Sequence, residues 1–294
     1  MNDKKKILIL TADAGYGHRS AANAIAAALE ETHGEFCEII ISNPLEDKRT
    51  SFILRDSQTD YDKIVRSAPE LYKLGYQASD ATIPSTLVES ALIVMLYEVM
   101  HDILKYHDPD AIITTYPLYQ APLDAVFTLG RRDVPLLTVV TDLATVHRVW
   151  FNDGVDYCLV PTETVRELAL SAGLTPQDVI ITGIPVHPNL IREKRTKNEV
   201  RAELGWQPDL ITVLAVGSQR VENMVETLNV LNHSGMPLQI AAVAGGDQET
   251  YTKLQETTWH RPAHIYNFVD NIPTMMNAAD FIICKAGGLI ITES

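Results

Sequence analysis

The chain has 294 residues, more than one ordinary domain needs and enough for two. Its composition, 46% hydrophobic and 21% charged, is that of a globular protein. The formal net charge of −14 argues against nucleic acid as a main partner, because binding a phosphate backbone requires a basic face.

Cysteine usage and hydropathy narrow the class of protein further. The three cysteines lie far apart in or beside apolar runs, which is typical of small buried side chains in a reducing compartment. The Cys and His residues show no metal-ligand spacing, so we expect no metal site. No apolar run approaches the roughly 18 residues that a membrane span needs, although a local patch would still allow contact with a membrane surface.

The most informative segment is a glycine turn near the start. An apolar run at 7–10 precedes Gly15, Gly17 and His18, and a helical pattern follows at 24–29. This order predicts strand, turn and helix, with free helix N–H groups facing an anionic or oxygen-rich ligand. The segment is neither a Walker A loop nor a GxGxxG motif. His18 is expected at the carboxyl end of the first strand, where open α/β sheets bind ligands, and the alternative is a turn with a solvent-facing histidine.

The first half of the chain alternates short apolar runs with helical patterns. The runs are rich in Val, Ile and Leu and do not alternate with polar residues, as expected for parallel strands that are covered on both faces. They predict a doubly wound α/β sheet with strands at 7–10, 38–41, 111–115, 136–141, 157–160 and 179–182.

A second α/β series follows a polar, basic segment at 189–200, which we interpret as a linker between domain 1–188 and domain 201–294. Predicted strands at 211–216, 238–244, 264–269 and 281–285 each end in or near a glycine or polar turn. The last predicted helix has barely begun at Ser294. We therefore expect a C-terminally truncated second domain, short of a six-strand sheet by at least ~50–60 residues at roughly 30 residues per βαβ unit.

Residues 83–107 form a long apolar helical pattern with two possible roles. A buried helix is one, and an amphipathic helix that dips into the membrane interface is the other. In the second case, Leu92 and Leu96 are the side chains that we expect to contact lipid.

Several segments, in order along the chain, resemble motifs of one family. Residues 15–22 resemble the GGGH-x-x-A-A turn of the monogalactosyldiacylglycerol synthase and processive diacylglycerol glucosyltransferase family. Other segments resemble the family's sequence after the second strand (43–45) and its P-x-L-Y…Y (68–76), PD-x-I-I (108–113), T-D-x…H-x-x-W (140–151), TGIPV (182–186), F-V-D-N-M (268–276) and K-A-G-x (285–288) elements. The departures, such as Tyr16 and Asn267 where glycine is common, fall mainly on the second half.

The resemblance implies a GT-B architecture of two Rossmann-like domains. The first domain would hold diacylglycerol, and the second a UDP-sugar, UDP-galactose or UDP-glucose. Transfer of the hexose would invert the anomeric centre without a metal or other cofactor. The family's acidic ribose-binding segment would lie beyond Ser294.

Inverting transfer needs a base for the acceptor hydroxyl and groups that stabilise the departing diphosphate. We expect His18 to be the base, because imidazole titrates near neutral pH. Asp142, after a predicted strand, is the second candidate, although an aspartate there is also a common helix cap. His147 is a further candidate base, and Gly15, Gly17, His147 and Trp150 are expected to line the acceptor site.

The donor site is expected on the second domain. Two strand-end turns would present N–H groups to the diphosphate: Gly217, Ser218 and Gln219 form the first, and Lys285, Ala286, Gly287 and Gly288 the second. By resemblance alone, Phe268 and Val269 would hold the uracil ring through backbone contacts.

Other functions remain open at this point. A peptidoglycan N-acetylglucosaminyltransferase or a UDP-sugar 2-epimerase shares the architecture, and an inactive lipid- or nucleotide-binding fragment is also possible. Under the main interpretation, the protein is cytoplasmic and peripheral on the inner face of the cell membrane. The sequence does not distinguish galactose from glucose.

Overall fold

The computed structural model describes residues 4–14, 16–50, 54, 82–130, 134–192, 194–218, 221 and 223–294. The chain divides into two compact units, Met1–Pro188 and Asn189–Ser294. Both units are built on parallel sheets, which confirms the predicted fold class. Among the described helices, none combines the length and apolar character needed to cross a membrane.

The first unit contains a six-stranded parallel sheet in the order β2-β1-β3-β4-β5-β6. Its strands are β1 (Lys5–Leu10), β2 (Cys37–Ser42), β3 (Ala111–Thr114), β4 (Leu136–Val139), β5 (Tyr157–Val160) and β6 (Val179–Ile181). The longer helices are α1 (Tyr16–His33), α2 (Thr82–His107), α3 (Gln120–Gly130) and α4 (Glu163–Ser171), and short 3-10 turns lie at Pro44–Glu46, Pro117–Tyr119 and Arg148–Trp150. The strand β4 ends before Thr141, so Thr141 and Asp142 lie in the loop that follows it.

Helix α2 packs into the core of the first unit. Leu92 and Leu96 are 3% and 0% exposed, so the expectation that these two side chains contact lipid is wrong. They lie at i and i+4 and therefore share the core-facing side of the helix. Leu87 and Val94 are 68% and 83% exposed and lie on a different side.

The second unit contains a four-stranded parallel sheet in the order β10-β7-β8-β9. Its strands are β7 (Ile211–Val216), β8 (Leu238–Val243), β9 (Ala263–Tyr266) and β10 (Phe281–Cys284). The helices α6 (Lys197–Leu204), α7 (Met224–Asn232), α8 (Gln248–Glu256) and α9 (Ile272–Ala278) accompany the sheet, with the shorter helix α10 (Gly288–Glu293). The short helix α5 (Pro188–Ile191) begins at the last residue of the first unit. Alternate residues of β7 enter separate apolar clusters, as the two-residue period of a strand requires.

Helix α6 occupies part of the segment interpreted as a linker. Thr196 and Glu199 form a capping box at its start, which explains why the helix begins at Lys197. The buried Arg201 donates to the Ala278 carbonyl at 2.8 Å and to Asp280 Oδ2 at 2.6 Å. Burial alone would raise the pKa of Asp280, but hydrogen bonds from Lys197, the Thr212 N–H and Arg201 lower it to about 2.

Candidate functional site

Each sheet has a point where its strand order reverses. In the first unit β1 lies between β2 and β3, and in the second β7 lies between β8 and β10. Open α/β sheets bind ligands in the crevice outside the carboxyl ends of the strands at such a point. The topology therefore defines one candidate site in each unit.

The first site is centred on His18, in the first turn of α1. Its Nδ1 lies 2.8 Å from the Thr115 carbonyl oxygen and 3.0 Å from Thr141 Oγ1. A carbonyl oxygen can only accept a hydrogen bond, so Nδ1 carries a proton in this arrangement. Nε2 is then the nitrogen with the lone pair when the ring is neutral, which is the state that a general base requires.

Aromatic side chains surround this imidazole. The Tyr116 ring meets it edge-on, with centroids 5.1 Å apart, and the Trp150 ring is tilted against it at 5.9 Å. Tyr116 and Trp150 are 7% and 2% exposed, so the imidazole lies against two buried aromatic walls. The walls restrict the rotation of His18 about its side-chain bonds.

Asp142 joins the same cluster through Trp150. The indole Nε1 donates to Asp142 Oδ2 at 3.1 Å. Burial raises the pKa of Asp142, and the indole hydrogen bond only partly opposes that effect. The structure thus places both candidate bases, His18 and Asp142, against one tryptophan.

His147 has a different local role. Its Nδ1 accepts a hydrogen bond from the Val149 N–H at 3.1 Å and caps the Arg148–Trp150 turn. This contact helps to set the position of Trp150. The capping nitrogen is already used as an acceptor, so it is poorly suited to take a proton from a substrate.

An ion pair that the sequence analysis did not predict joins Asp13 and Arg19. Arg19 donates to both carboxylate oxygens of Asp13, at 2.8 and 3.0 Å. The Arg19 hydrogen bond is the largest cause of the lowered pKa of Asp13. The two residues stand on either side of the turn, and their opposite charges were the available signal. The pair fixes the chain direction immediately beside His18.

The glycines of this turn are only partly described. Gly15 lies outside the described residues, as does the 68–76 segment that resembles a family motif. A Cβ built on Gly17 would have no heavy atom of the described residues within 4 Å, so the space beside its Cα is open. Such space lets a ligand approach the start of α1 closely.

In the second unit, glycines bring two strand-end loops into contact. Gly217 follows β7, and its N–H donates to the Val243 carbonyl at 2.7 Å. A Cβ on Gly245, whose φ is +68°, would lie 2.1 Å from the Gly217 carbonyl oxygen. Only glycine fits this approach, which makes Gly245 a structural residue that the sequence analysis did not assign to the site.

The third strand-end loop carries Phe268 and Val269. The Gly246 N–H donates to the Asn267 carbonyl at 3.0 Å, which links this loop to the one after β8. Phe268 is 53% exposed, whereas Val269 packs beside the cluster that contains Trp206. At the carboxyl edge of the sheet, this loop therefore presents an exposed aromatic ring. Its backbone is hydrogen-bonded to the loop after β8.

The loop after β10 holds Lys285, Ala286 and Gly287 at exposed positions. The Gly287 N–H donates to the Lys285 carbonyl at 2.7 Å, and Gly288 begins α10. A mostly apolar cavity of about 340 Å³ lies between this loop and α7, lined by residues that include Val216, Met224, Cys284 and Lys285. Ser218 directly follows Gly217 in the loop after β7, and Gln219 lies outside the described residues.

Within the described ranges, no group of three or more His, Cys, Asp or Glu side chains is arranged to hold a metal ion. The polar and charged groups that the structure does describe at the two sites include His18, Asp142, the Asp13–Arg19 pair, Lys285 and backbone amides.

Two doubly wound parallel units in one chain define the GT-B class of Rossmann-like proteins. Solved structures show the same fold. The chain matches MurG of Acinetobacter baumannii with a TM-score of 0.54 at 15% identity, over 99% of this chain and 75% of that one. It matches the UDP-GlcNAc 2-epimerase of Neisseria meningitidis, bound to UDP-GlcNAc, with a TM-score of 0.54 at 13% identity, over 97% and 78%.

The family follows from the sequence comparison. The family model of monogalactosyldiacylglycerol (MGDG) synthase matches residues 18–186, more than half of the chain, and the chain belongs to this family. The chloroplastic monogalactosyldiacylglycerol synthase of Spinacia oleracea is 33% identical over 99% of this chain. The chain spans 57% of the length of that relative.

Proposed function

We propose that the protein transfers a hexose, galactose or glucose, from a UDP-sugar to diacylglycerol with inversion. The observation that carries the proposal is the imidazole of His18, oriented by two oxygen atoms at the strand-order reversal of a unit that matches the MGDG synthase family. Family membership supports the reaction class, and the geometry supports a general base at this position.

The chemistry assigned to His18 follows from its hydrogen bonds. The acceptor hydroxyl gives its proton to Nε2 while its oxygen attacks the anomeric carbon, and the bond from that carbon to the diphosphate breaks. The imidazolium that forms keeps its Nδ1–H on the Thr115 carbonyl, 2.8 Å away, which stabilises the positive charge. Asp142 is the second candidate base, and its half-buried carboxylate accepts the hydrogen bond from the Trp150 indole.

The donor is assigned to the second unit. The Gly217–Ser218 turn would offer backbone N–H groups to the diphosphate, and Lys285 with the glycines after it would offer a positive charge and further N–H groups. Phe268 and Val269 would hold the uracil ring of the UDP-sugar. The Neisseria epimerase with its bound UDP-GlcNAc shares this fold, which supports a UDP-sugar as the ligand class.

The lipid acceptor requires contact with a membrane surface. Leu87 and Val94 lie seven residues apart on α2, so they share one side of the helix. Their exposure of 68% and 83% leaves them available to a lipid surface. We assign the peripheral membrane contact to these side chains in place of Leu92 and Leu96.

The membrane assignment has a matched test. Leu87→Glu with Val94→Glu should release the protein from vesicles of phosphatidylcholine and diacylglycerol while its thermal transition stays intact. The buried pair Leu92→Glu with Leu96→Glu should instead unfold the first unit, because two charges would enter its core. Undiminished vesicle binding by the Leu87–Val94 pair variant would refute the assignment.

The activity is tested with a donor panel. The full-length protein is incubated with UDP-galactose, UDP-glucose or UDP-GlcNAc and diacylglycerol vesicles, and the lipids are analysed by mass spectrometry and anomeric NMR. A hexosyl-diacylglycerol with inverted configuration is the expected product. UDP release from UDP-GlcNAc without any acceptor would indicate an epimerase, and bound UDP without turnover would indicate a binding module.

A further inference from the structure

We infer that Thr141 is the positioning residue of His18: its hydroxyl group shares the Nδ1–H proton with the Thr115 carbonyl and so keeps Nε2 as the proton-accepting nitrogen. The inference rests on the proposed function, because it concerns the residue assigned there as the base. The inference adds Thr141, which affects the reaction by orienting the His18 ring.

The geometry comes from two neighbouring strands. Thr115 directly follows β3, Thr141 follows β4 by two residues, and these strands are paired in the sheet. Their oxygens lie 2.8 and 3.0 Å from His18 Nδ1. Two acceptors at one nitrogen hold the plane of the ring as well as its proton, because a rotation that keeps one bond stretches the other.

Thr115 also holds the backbone of His18. Its hydroxyl donates to the His18 carbonyl at 3.0 Å and lies 2.9 Å from Thr11 Oγ1. Two strand ends therefore hold the histidine by its main chain and by its ring, and Thr11, at the end of a third strand, contacts Thr115. Of the two acceptors at Nδ1, only the Thr141 hydroxyl can be removed by substitution, since the Thr115 acceptor is a main-chain carbonyl.

The consequence for proton transfer is specific. When Nε2 takes the acceptor proton, the positive charge spreads over the ring, and both oxygens at Nδ1 stabilise it. Loss of the Thr141 hydroxyl would weaken this effect and let the ring rotate. The expected result is a lower turnover number with little change in KM, because Thr141 acts on His18 rather than on the substrate.

The chain offers a matched control close by, on β4. Thr138 is 0% exposed, and its hydroxyl has no hydrogen-bond partner among the described residues. Thr141→Val and Thr138→Val make the same chemical change three residues apart. Only the first removes a contact with His18.

The primary test measures nitrogen-15 spectra of the histidine rings in the full chain. We expect a proton on Nδ1 of neutral His18, with solvent exchange about fivefold faster in Thr141→Val and near the wild-type rate in Thr141→Ser and Thr138→Val. A proton on Nε2 in the wild type would overturn the inference without any variant. Equal exchange rates in Thr141→Val and wild type would also overturn it.

Kinetics separate this inference from the proposed function. A fall in kcat of about fivefold in Thr141→Val, largely restored in Thr141→Ser, would support it. If His18→Ala transfers hexose at the wild-type rate while Nδ1–H exchange behaves as expected, the hexosyltransferase activity stands, but the part of the proposed function that makes His18 the base fails. The tautomer assignment would survive that result, so the two failures are distinguishable.

Discussion

Different kinds of contact hold the loops at the carboxyl edges of the two sheets. At the first, side chains provide them: His18, Trp150 and Asp142 hold one another by hydrogen bonds and ring contacts. At the second, main chain packs on main chain, because Gly217 and Gly245 allow loops to approach within a distance that no Cβ permits. The first arrangement suits proton transfer, and the second suits an anion held by backbone N–H groups.

This difference predicts where each unit tolerates substitution. Changes of side-chain chemistry should affect the first site without unfolding its unit. Changes of backbone freedom should affect the second site by unfolding or distorting its loops. Three comparisons test the contrast, in order of decreasing expected effect.

The largest effect is expected for Gly245→Ala. Its φ of +68° and the 2.1 Å approach of the new Cβ to the Gly217 carbonyl oxygen should cost about 3 kcal/mol in the free energy of unfolding of the second unit. The neighbouring Gly246→Ala is the control, since its φ is +83° but its nearest contact is Phe268 at 3.9 Å. It should cost only about 1 kcal/mol. Urea-dependent pulse proteolysis measures both, and equal costs would contradict the close-approach argument.

Asp142→Asn should separate stability from activity at the first site. Burial raises the pKa of Asp142, so the folded state keeps this proton to higher pH than the unfolded state does. The wild-type free energy of unfolding therefore falls as pH rises from the ordinary carboxyl range through the raised pKa. The variant lacks that fall, so we expect it to be more stable than wild type above that window and equal to it below.

Transfer by the same variant should slow by about 100-fold if the carboxylate takes part in proton transfer. Asp124→Asn is the matched control, because burial also raises the pKa of Asp124, and it lies outside the site. Like Asp142→Asn, the Asp124→Asn variant should be more stable than wild type above the pH window in which the carboxyl loses its proton. Its rate of hexose transfer should be unchanged. A variant of Asp142 that is less stable than wild type at neutral pH would contradict the desolvation argument.

The smallest effects concern two buried glutamines, one in each unit. Gln239 donates to the Gln207 carbonyl at 2.7 Å and to Thr212 Oγ1 at 2.8 Å, so Gln239→Leu should cost about 2 kcal/mol. Gln120 is 1% exposed, and within the described part of the chain its amide has no hydrogen-bond partner. Gln120→Leu should be neutral or stabilising by up to about 1 kcal/mol. A large loss of stability there would reveal a partner for the amide.

Much of the fold was accessible from the sequence, because parallel strands that are covered on both faces are continuous apolar runs. Helix α1 was harder: its pattern indicates a start near residue 24, whereas it begins at Tyr16. The early turn contains Gly17, a poor helix former, and tertiary contacts such as the bond from His18 to Thr115 stabilise it instead.

The site was accessible only in part. The sequence pointed to strand-end glycines and to His18, because those residue types carry local signals. The Asp13–Arg19 pair, the role of Thr141 and the contact of Gly245 with Gly217 depend on neighbours that are distant in sequence or on backbone geometry. The predicted strand also ran through Thr141, so its place in a loop beside His18 could not be foreseen.

The central claim is that His18 supplies the base and that the donor is held by groups of the second unit. It is tested most directly by His18→Ala in the full-length protein, with hexose transfer to diacylglycerol and the dissociation constant of UDP measured on the same preparation. We expect transfer to be lost while UDP affinity stays within a few fold of wild type. Transfer at the wild-type rate in this variant would contradict the claim.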